Sequence, residues 1–446
     1  CPSHYMAVIE LHRVTGHEQY LRLAEDFLRV RDEFEEGGDD NQDRIPVHEQ
    51  TAVTGHAVRA NYLYAGLADL VAETGDERLT SVLERLWNDV VDTKLYITGG
   101  CGALYDGASP DGYPWQSEIS RVHQAYGRPF QLPNTTAHNE SCAQIGMIFW
   151  TERMLALEPD ARYADVIERI AFNSLLSTIG LDGATYFYTN PLRQVRGLPF
   201  PLRRAGDTAL HPVPEPPASD ARGRERYLSC FCCPPNIART LSRLHERIAS
   251  VSPDGLFVHQ YGGSRIDVPF EEGRMLALDE HSDYPWDGRI VFTVREATGT
   301  VPLHLRIPGW SSDATLTVNG EPVPVSAPSS YTRIERAWSA GDEIVLDLPM
   351  PVRLLRAHRL DLPEGVMLEQ AALRRGTELS PVQAEIAGHR VIALDTEIAV
   401  LPRPDDTLYA DLDDATVRTA GARLIPYYAW SNRGPGEMSV WLPVVW

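Results

Sequence analysis

Two periods of hydrophobic spacing divide the chain. In the first half apolar residues recur three or four positions apart, as in Val8, Leu11 and Val14 or Ile237, Leu241, Leu244 and Ile248. That is the spacing of one helix face, and it predicts helices over about 4–14, 18–34, 52–73, 77–94, 138–157, 161–177 and 236–249. A weak repeat runs through them. Thr15-Gly16-His17-Glu18-Gln19-Tyr20-Leu21, Thr74-Gly75-Asp76-Glu77-Arg78-Leu79 and Pro159-Asp160-Ala161-Arg162-Tyr163 each place a short polar turn before a new amphipathic helix. Repeated helical hairpins predict an α/α solenoid or a closed toroid of helices. Stretches without this period, at about 95–136 and 181–229, are long loops of the kind that usually carry function.

Near residue 252 the period becomes two. Arg289-Ile290-Val291-Phe292-Thr293-Val294 and Leu303-His304-Leu305-Arg306-Ile307 alternate like half-buried strands. Thr315-Leu316-Thr317-Val318 runs into Asn319-Gly320, a type I′ hairpin signal, and Ile344-Val345-Leu346-Asp347-Leu348 continues the alternation. Residues 252–446 are therefore expected as antiparallel sheet, one β-sandwich with a further small β module, behind a helical part over 1–251.

At 446 residues the chain exceeds one compact core, so two or three domains are expected. Its net charge is −21, with 62 acidic against 41 basic residues. That balance argues against DNA, RNA and anionic membrane surfaces as partners, and leaves uncharged substrates such as sugars open. No apolar run reaches the ~18 residues of a membrane span. The opening Cys1-Pro2-Ser3-His4 leads straight into a helical pattern, so a further part upstream is expected.

Candidate chemistry gathers in the helical part, which holds all six cysteines. Three of them fall within Ser229-Cys230-Phe231-Cys232-Cys233-Pro234-Pro235-Asn236. Neighbouring cysteines bridge one another poorly, so such a cluster points to metal binding or nucleophilic chemistry before disulfides. Cys233 precedes a proline and is expected in an extended conformation. Pro234 or Pro235 suits a first helical turn, which would aim a helix N-terminus at the thiols and favour thiolate. The competing reading is three buried cysteines packed as small hydrophobes. A second cluster, Asn139-Glu140-Ser141-Cys142, puts a carboxylate and a thiol two residues apart. That spacing lets both reach one ion only from a loop or an irregular helix start. Glu140, Cys142, Cys232 and Cys233 together make one oxygen and three sulfurs, a set that suits tetrahedral zinc and not magnesium or calcium, with Cys230 as a possible substitute. A purely structural zinc is the plainer alternative. Thiolate ligands favour a reducing compartment, which gives a weak preference for the cytoplasm.

The Glu-x-Cys pair, the Leu132-Pro133-Asn134 approach to it and the Cys-x-Cys-Cys-Pro-Pro-Asn run resemble the β-L-arabinofuranosidase family, glycoside hydrolase family 127 and its relatives. Gly55-His56-Ala57-Val58-Arg59-Ala60, Ile97-Thr98-Gly99-Gly100, Asn190-Pro191-Leu192, Arg306-Ile307-Pro308-Gly309-Trp310 and Ala429-Trp430-Ser431-Asn432-Arg433-Gly434-Pro435-Gly436 fit as well. The resemblance implies an (α/α)6 barrel, here incomplete at its N-terminal end, followed by β-sandwich domains. It implies zinc held by Glu140, Cys142, Cys232 and Cys233, with Cys232 also the nucleophile. It implies a carbohydrate partner, a terminal β-linked L-arabinofuranosyl residue of a plant-type glycan, removed with retention through a thioglycosyl intermediate.

One position departs from the family. Sixteen residues before the ligand Glu, where a general acid/base Glu is expected, stands Gln124. An amide does not protonate a leaving oxygen, and such assistance is typically worth about 10²–10⁴-fold. Either another group serves, Glu118 or His123 being nearest in sequence, or the sugar supplies its own acid, or the site is impaired. His56 and Tyr188 match or adjoin family positions that line the sugar pocket, and Trp115, Tyr126 and Trp150 are candidate stacking faces. A non-hydrolytic glycan binder with structural zinc is the second reading. An epimerase or lyase is the third, though it would need no three converging cysteines.

Overall fold

The computed structural model describes residues 2–109, 120–194, 223–226, 232–357, 370–379, 397–398, 409–411, 426–432 and 438–443. Among them are seven α-helices: α1 His4–Thr15, α2 Glu18–Asp32, α3 Ala57–Thr74, α4 Glu77–Thr93, α5 Ser141–Leu157, α6 Ala161–Arg169 and α7 Cys233–Ser242. α3 packs against α1, α4 and α5, and α5 packs in turn against α6 and α7. One carboxylate ties three of them, because Asp69 of α3 accepts from Arg13 of α1 at 2.8 Å and from Arg153 of α5 at 2.7 Å. Gly146 lets α5 approach α3 closely, since a Cβ there would lie 2.9 Å from Asn61 Cβ.

The helix ends differ from the periodicity for local reasons. α3 begins at Ala57, not near 52, because residues before it find partners outside a helix: Val53 N–H donates to Asp89 at 2.7 Å and its carbonyl accepts from Lys94 Nζ at 2.8 Å. The helix expected over 161–177 stops at Arg169 and continues as a π-helical turn, Ile170–Leu175. Inside that turn Asn173 Nδ2 donates back to the Arg169 carbonyl at 2.9 Å and across to the Thr377 carbonyl at 3.0 Å. α7 ends at Ser242, and Ala249–Ser252 is strand, its pairing with Gly255–Val258 outweighing the helical spacing of Ile248.

Two sheets follow. A six-stranded sheet runs Glu321–Val323, Thr315–Val318, Glu343–Asp347, Arg289–Thr298, Met275–Ser282, Ser264–Pro269. A four-stranded one runs Ser330–Ala337, Thr300–Ile307, Gly255–Val258, Ala249–Ser252. Leu256, Val258, Leu303 and Leu305 of the second meet Leu276, Leu278, Ile290 and Phe292 of the first in one core, the layering of a β-sandwich. The Asn319-Gly320 turn joins Thr315–Val318 to Glu321–Val323, with both turn residues at positive φ as a type I′ turn requires. The sheets are not purely antiparallel, because Thr300–Ile307 runs parallel to Gly255–Val258.

Thr300–Ile307 is also buried on both faces rather than one, since its second face docks on the helices. Arg306 is fully buried. It pairs with Asp165 and with Glu168 of α6, the latter at 2.5 Å, and donates to the His259 carbonyl. Gly309 N–H donates to Asp165 at 3.1 Å and Trp310 Nε1 to Glu168 at 3.0 Å. The Arg-Ile-Pro-Gly-Trp run is thus the joint between helices and sandwich.

A third set of strands lies near the C-terminus: Glu378–Leu379, Gln370–Arg375, Val352–Ala357 and Tyr409–Asp411 in that order, with Leu442–Pro443 on Gln370–Arg375. The helical half contributes to the neighbouring sheet, where Arg193–Gln194 pairs with Met438–Ser439. The whole is a multidomain fold of helices and sandwich-like sheets. Among the described residues no helix is long and apolar enough to cross a membrane.

Candidate active site

The site is built where two helices begin. The chain reaches α5 through Asn139, held at φ +42°, and Glu140, which caps the helix in an extended conformation. Cys142 follows in the first turn. This is the irregular start that the Glu-x-Cys spacing demands. Ser141 clamps it to the segment 187–190: its N–H donates to the Tyr188 carbonyl at 3.0 Å and its Oγ to the Phe187 carbonyl at 2.6 Å. Asn190 Nδ2 adds a bond to the Asn139 carbonyl at 2.8 Å. The Asn-Pro-Leu run is therefore part of the site's framework.

α7 supplies the other half. Cys233 is its first residue, not an extended residue before a helix beginning near Asn236. A first-turn proline needs no N–H partner, and the packing of Cys233 on Cys142 outweighs the usual pre-proline preference. Cys142 Sγ lies 3.3 Å from Cys233 Sγ; Cys232 Sγ lies 3.7 Å from Cys233 Sγ and 3.6 Å from Glu140 Oε1; Cys233 Sγ lies 3.8 Å from the same oxygen. The four ligand atoms all fall within 4.8 Å of one another, a cluster able to hold a metal ion. Glu140, Cys142 and Cys233 are buried and Cys232 is exposed. Contacts with the Cys232 and Cys233 sulfurs, and more weakly the Asn236 amide, pull the Cys142 thiol down to about 6. Cys230 lies outside the described residues.

Gln124 sits at φ +54° in the strand Ser120–Ala125, which pairs with Leu104–Ser109. Its Nε2 donates to Tyr188 Oη at 3.0 Å. His56, the residue before α3, pairs with the backbone of Ala125 and shares a hydrogen bond with the Gln124 side chain. Burial, then the Arg59 charge, pushes the His56 imidazole down to about 4, so it is neutral near pH 7. Burial and the negative charge of Glu140, Cys232 and Cys233 push the Tyr188 phenol up. The three residues singled out beside the thiol cluster thus converge from three separate segments, and Tyr188 faces both groups.

Other candidates fall elsewhere. His123 packs edge-on against Tyr105 at 4.7 Å. Trp150 is core, its ring 4.9 Å from Tyr64, and Tyr126 is buried with its hydroxyl on Asn61 Oδ1 at 2.8 Å. Neither offers a stacking face. Glu118 and Trp115 lie outside the described residues. Asn134 and Asn139, each the head of a glycosylation sequon, are buried. Cys101 is buried away from the cluster against Asn61 Nδ2 at 3.4 Å, and burial pushes its thiol up to about 11. The sequence reading quoted Asn236 only as the end of the cysteine run, without a role, and missed Tyr62 and Arg239. Asn236 Nδ2 donates to Cys142 Sγ at 2.9 Å, Tyr62 Oη donates to Asn236 Oδ1 at 3.1 Å, and Arg239 Nη2 donates to Tyr62 Oη at 2.9 Å. The one available signal was that Asn236 and Arg239 follow Cys233 at three-residue steps, along one side of the helix that Cys233 opens.

Comparison with known proteins agrees along the whole length. Residues 1–246 match the family model described as β-L-arabinofuranosidase, GH127 catalytic domain; residues 255–350 match the GH127 middle domain; residues 331–443 match the glycoside hydrolase family 127 C-terminal domain. A non-reducing end β-L-arabinofuranosidase of Bifidobacterium longum subsp. longum is 31% identical, over 98% of this chain and 70% of that protein. A solved structure described as a glycoside hydrolase is 41% identical with a TM-score of 0.83, covering 99% of this chain and 75% of the other. A GH127 β-L-arabinofuranosidase from Geobacillus stearothermophilus T6 is 32% identical with a TM-score of 0.74, covering 98% and 71%.

Proposed function

The chain belongs to glycoside hydrolase family 127, the β-L-arabinofuranosidase family, and from that membership we propose that it removes a terminal β-L-arabinofuranosyl residue with retention, using Cys232 as nucleophile. The helices are read as part of the (α/α)6 barrel that this family implies, the helical residues 1–251 as the catalytic part and residues 252–446 as its β domains. The observation that carries the proposal is the convergence of Glu140, Cys142, Cys232 and Cys233, with Cys232 alone exposed.

The donor set fits zinc. Bonds of about 2.3 Å to sulfur and about 2.0 Å to oxygen at tetrahedral angles put sulfurs about 3.8 Å apart and sulfur and oxygen about 3.5 Å apart. Four of the donor spacings, at 3.3–3.8 Å, are close to these values, and all lie within 4.8 Å. Bound there, zinc would keep the thiols deprotonated at neutral pH. Glu140, Cys142 and Cys233 would hold it from the buried side. Cys232, at the open side, attacks the anomeric carbon: a C–S bond forms, the glycosidic C–O bond breaks, and the aglycone leaves with the electron pair. Water then attacks the same carbon, the C–S bond breaks and the Cys232 thiolate returns. Two displacements give net retention. His56 beside Gln124 is neutral and, with its imidazole held down at about 4, is a weak base that carries no spare proton for a leaving oxygen.

The lack of an acid at position 124 favours good leaving groups, and it also sustains a second reading. Gln124, held by Tyr188 and unable to act as an acid, suits an impaired relative that binds a glycan with little turnover. Release of nitrophenol from nitrophenyl β-L-arabinofuranoside separates the two, because that aglycone leaves without protonation. Release by the zinc-loaded protein, lost in Cys232→Ser, is expected. Tight sugar binding without release would establish the second reading.

A further inference from the structure

The side chains behind the cluster form one hydrogen-bonded line with a forced direction. Arg239 stacks over the Phe149 ring at 4.9 Å and donates to Tyr62 Oη. A guanidinium has donors only. The Tyr62 hydroxyl, already accepting, gives its one hydrogen to Asn236 Oδ1, which can only accept. The Asn236 amide is thereby fixed with its NH2 toward Cys142 Sγ, 2.9 Å away, and the sulfur is required to accept. The line joins α7 (Asn236, Arg239), α3 (Tyr62) and α5 (Cys142), and it ends on the buried sulfur, not on exposed Cys232.

We infer that Arg239, Tyr62 and Asn236 are positioning residues that hold Cys142 as a permanent acceptor, and so dedicate it to anchoring the metal ion while Cys232 is left to attack. This rests on the metal-site reading above. An N–H bond to an ionised sulfur occupies a lone pair and withdraws charge, so the bonded sulfur is fixed in place and is the poorer nucleophile. Partners of this kind behind a ligand typically affect metal affinity by about 10–100-fold.

The test uses the whole chain, zinc competition against a chelator, and the sulfur-to-metal absorption of the cobalt-substituted protein. Asn236→Asp keeps the shape but turns a carboxylate oxygen toward the sulfur, and Tyr62→Phe removes only the hydroxyl that orients the amide. Affinity is expected to fall about 10–100-fold in Asn236→Asp, with a smaller fall in Tyr62→Phe and a shifted cobalt band in both, at unchanged circular dichroism. Should Asn236→Asp not fold, Asn236→Ala is expected to move both readouts the same way. Wild-type affinity and spectrum in the variants would overturn the inference, as would an effect in Asn236→Asp with none in Tyr62→Phe. A wild-type chain that takes up no metal would instead sink the metal-site reading, and this inference with it.

Discussion

Of the four candidate donors Cys232 alone is exposed, and the proposed division of roles among them rests on that difference. Glu140, Cys142 and Cys233 are closed in by α5, α7 and the segment 187–190, whereas Cys232 faces outward. Residue types and spacings were enough to nominate this set, because thiols in a tight cluster have few other uses. The resemblance brought His56 and Tyr188 to the pocket, but their contacts with Gln124 were not legible, since they lie far from it in sequence and meet it only through folding. Gln124→Glu would put a carboxyl group, able to carry and give up a proton, where the Gln124 amide now contacts Tyr188 Oη. Turnover of alkyl arabinofuranosides is expected to rise toward the roughly 10²–10⁴-fold that general acid assistance supplies, with little change on the nitrophenyl substrate. Steady-state kinetics on both substrates checks this, and equal rates before and after would put the acid role elsewhere.

At the level of elements, periodicity located the helices and misplaced the ends that matter most. α5 and α7 start where side-chain packing puts a carboxylate and thiols together, at Ser141 and Cys233, and no repeat of apolar residues encodes that. The π-helical turn after α6 was likewise hidden, since its reason is Asn173 reaching the Thr377 carbonyl 204 residues away. The α3–α5 contact is the element on which the site's geometry depends, as α3 carries Tyr62 and follows directly on His56, and α5 carries Cys142. Gly146→Val would drive a side chain into Asn61 and Tyr62. Overpacking of this kind costs about 1–3 kcal/mol, measurable by denaturant unfolding, and should weaken metal retention at the same time. A loss of stability with metal affinity intact would separate the helix contact from the site.

For the whole molecule, alternation in the sequence revealed the sandwich strands but not how they grip the helices. That joint is a buried charge network, with Arg306 between Asp165 and Glu168. Arg306→Met would leave buried Glu168 and half-buried Asp165 without their cation, a loss of about 3–5 kcal/mol. Arg265→Met breaks an exposed pair with Asp279 and should leave stability nearly unchanged. Thermal unfolding of the two variants compares them, and equal losses would contradict this account of the joint. The 3-10 turn Tyr427–Ala429 also has a role here: Trp430, which ends it, stacks on Phe187 at 4.7 Å, and Tyr427 Oη donates to the Pro191 carbonyl at 3.1 Å, so they brace the segment that carries Tyr188. All of this scaffold serves one proposed event, attack by the Cys232 sulfur on a sugar. The most direct measurement is acid quenching of the zinc-loaded protein during turnover of nitrophenyl β-L-arabinofuranoside, followed by mass spectrometry of the peptide that contains Cys232. One pentosyl group on Cys232 is the predicted result; nitrophenol release with no adduct there, or with the adduct on Cys142 or Cys233, would contradict it.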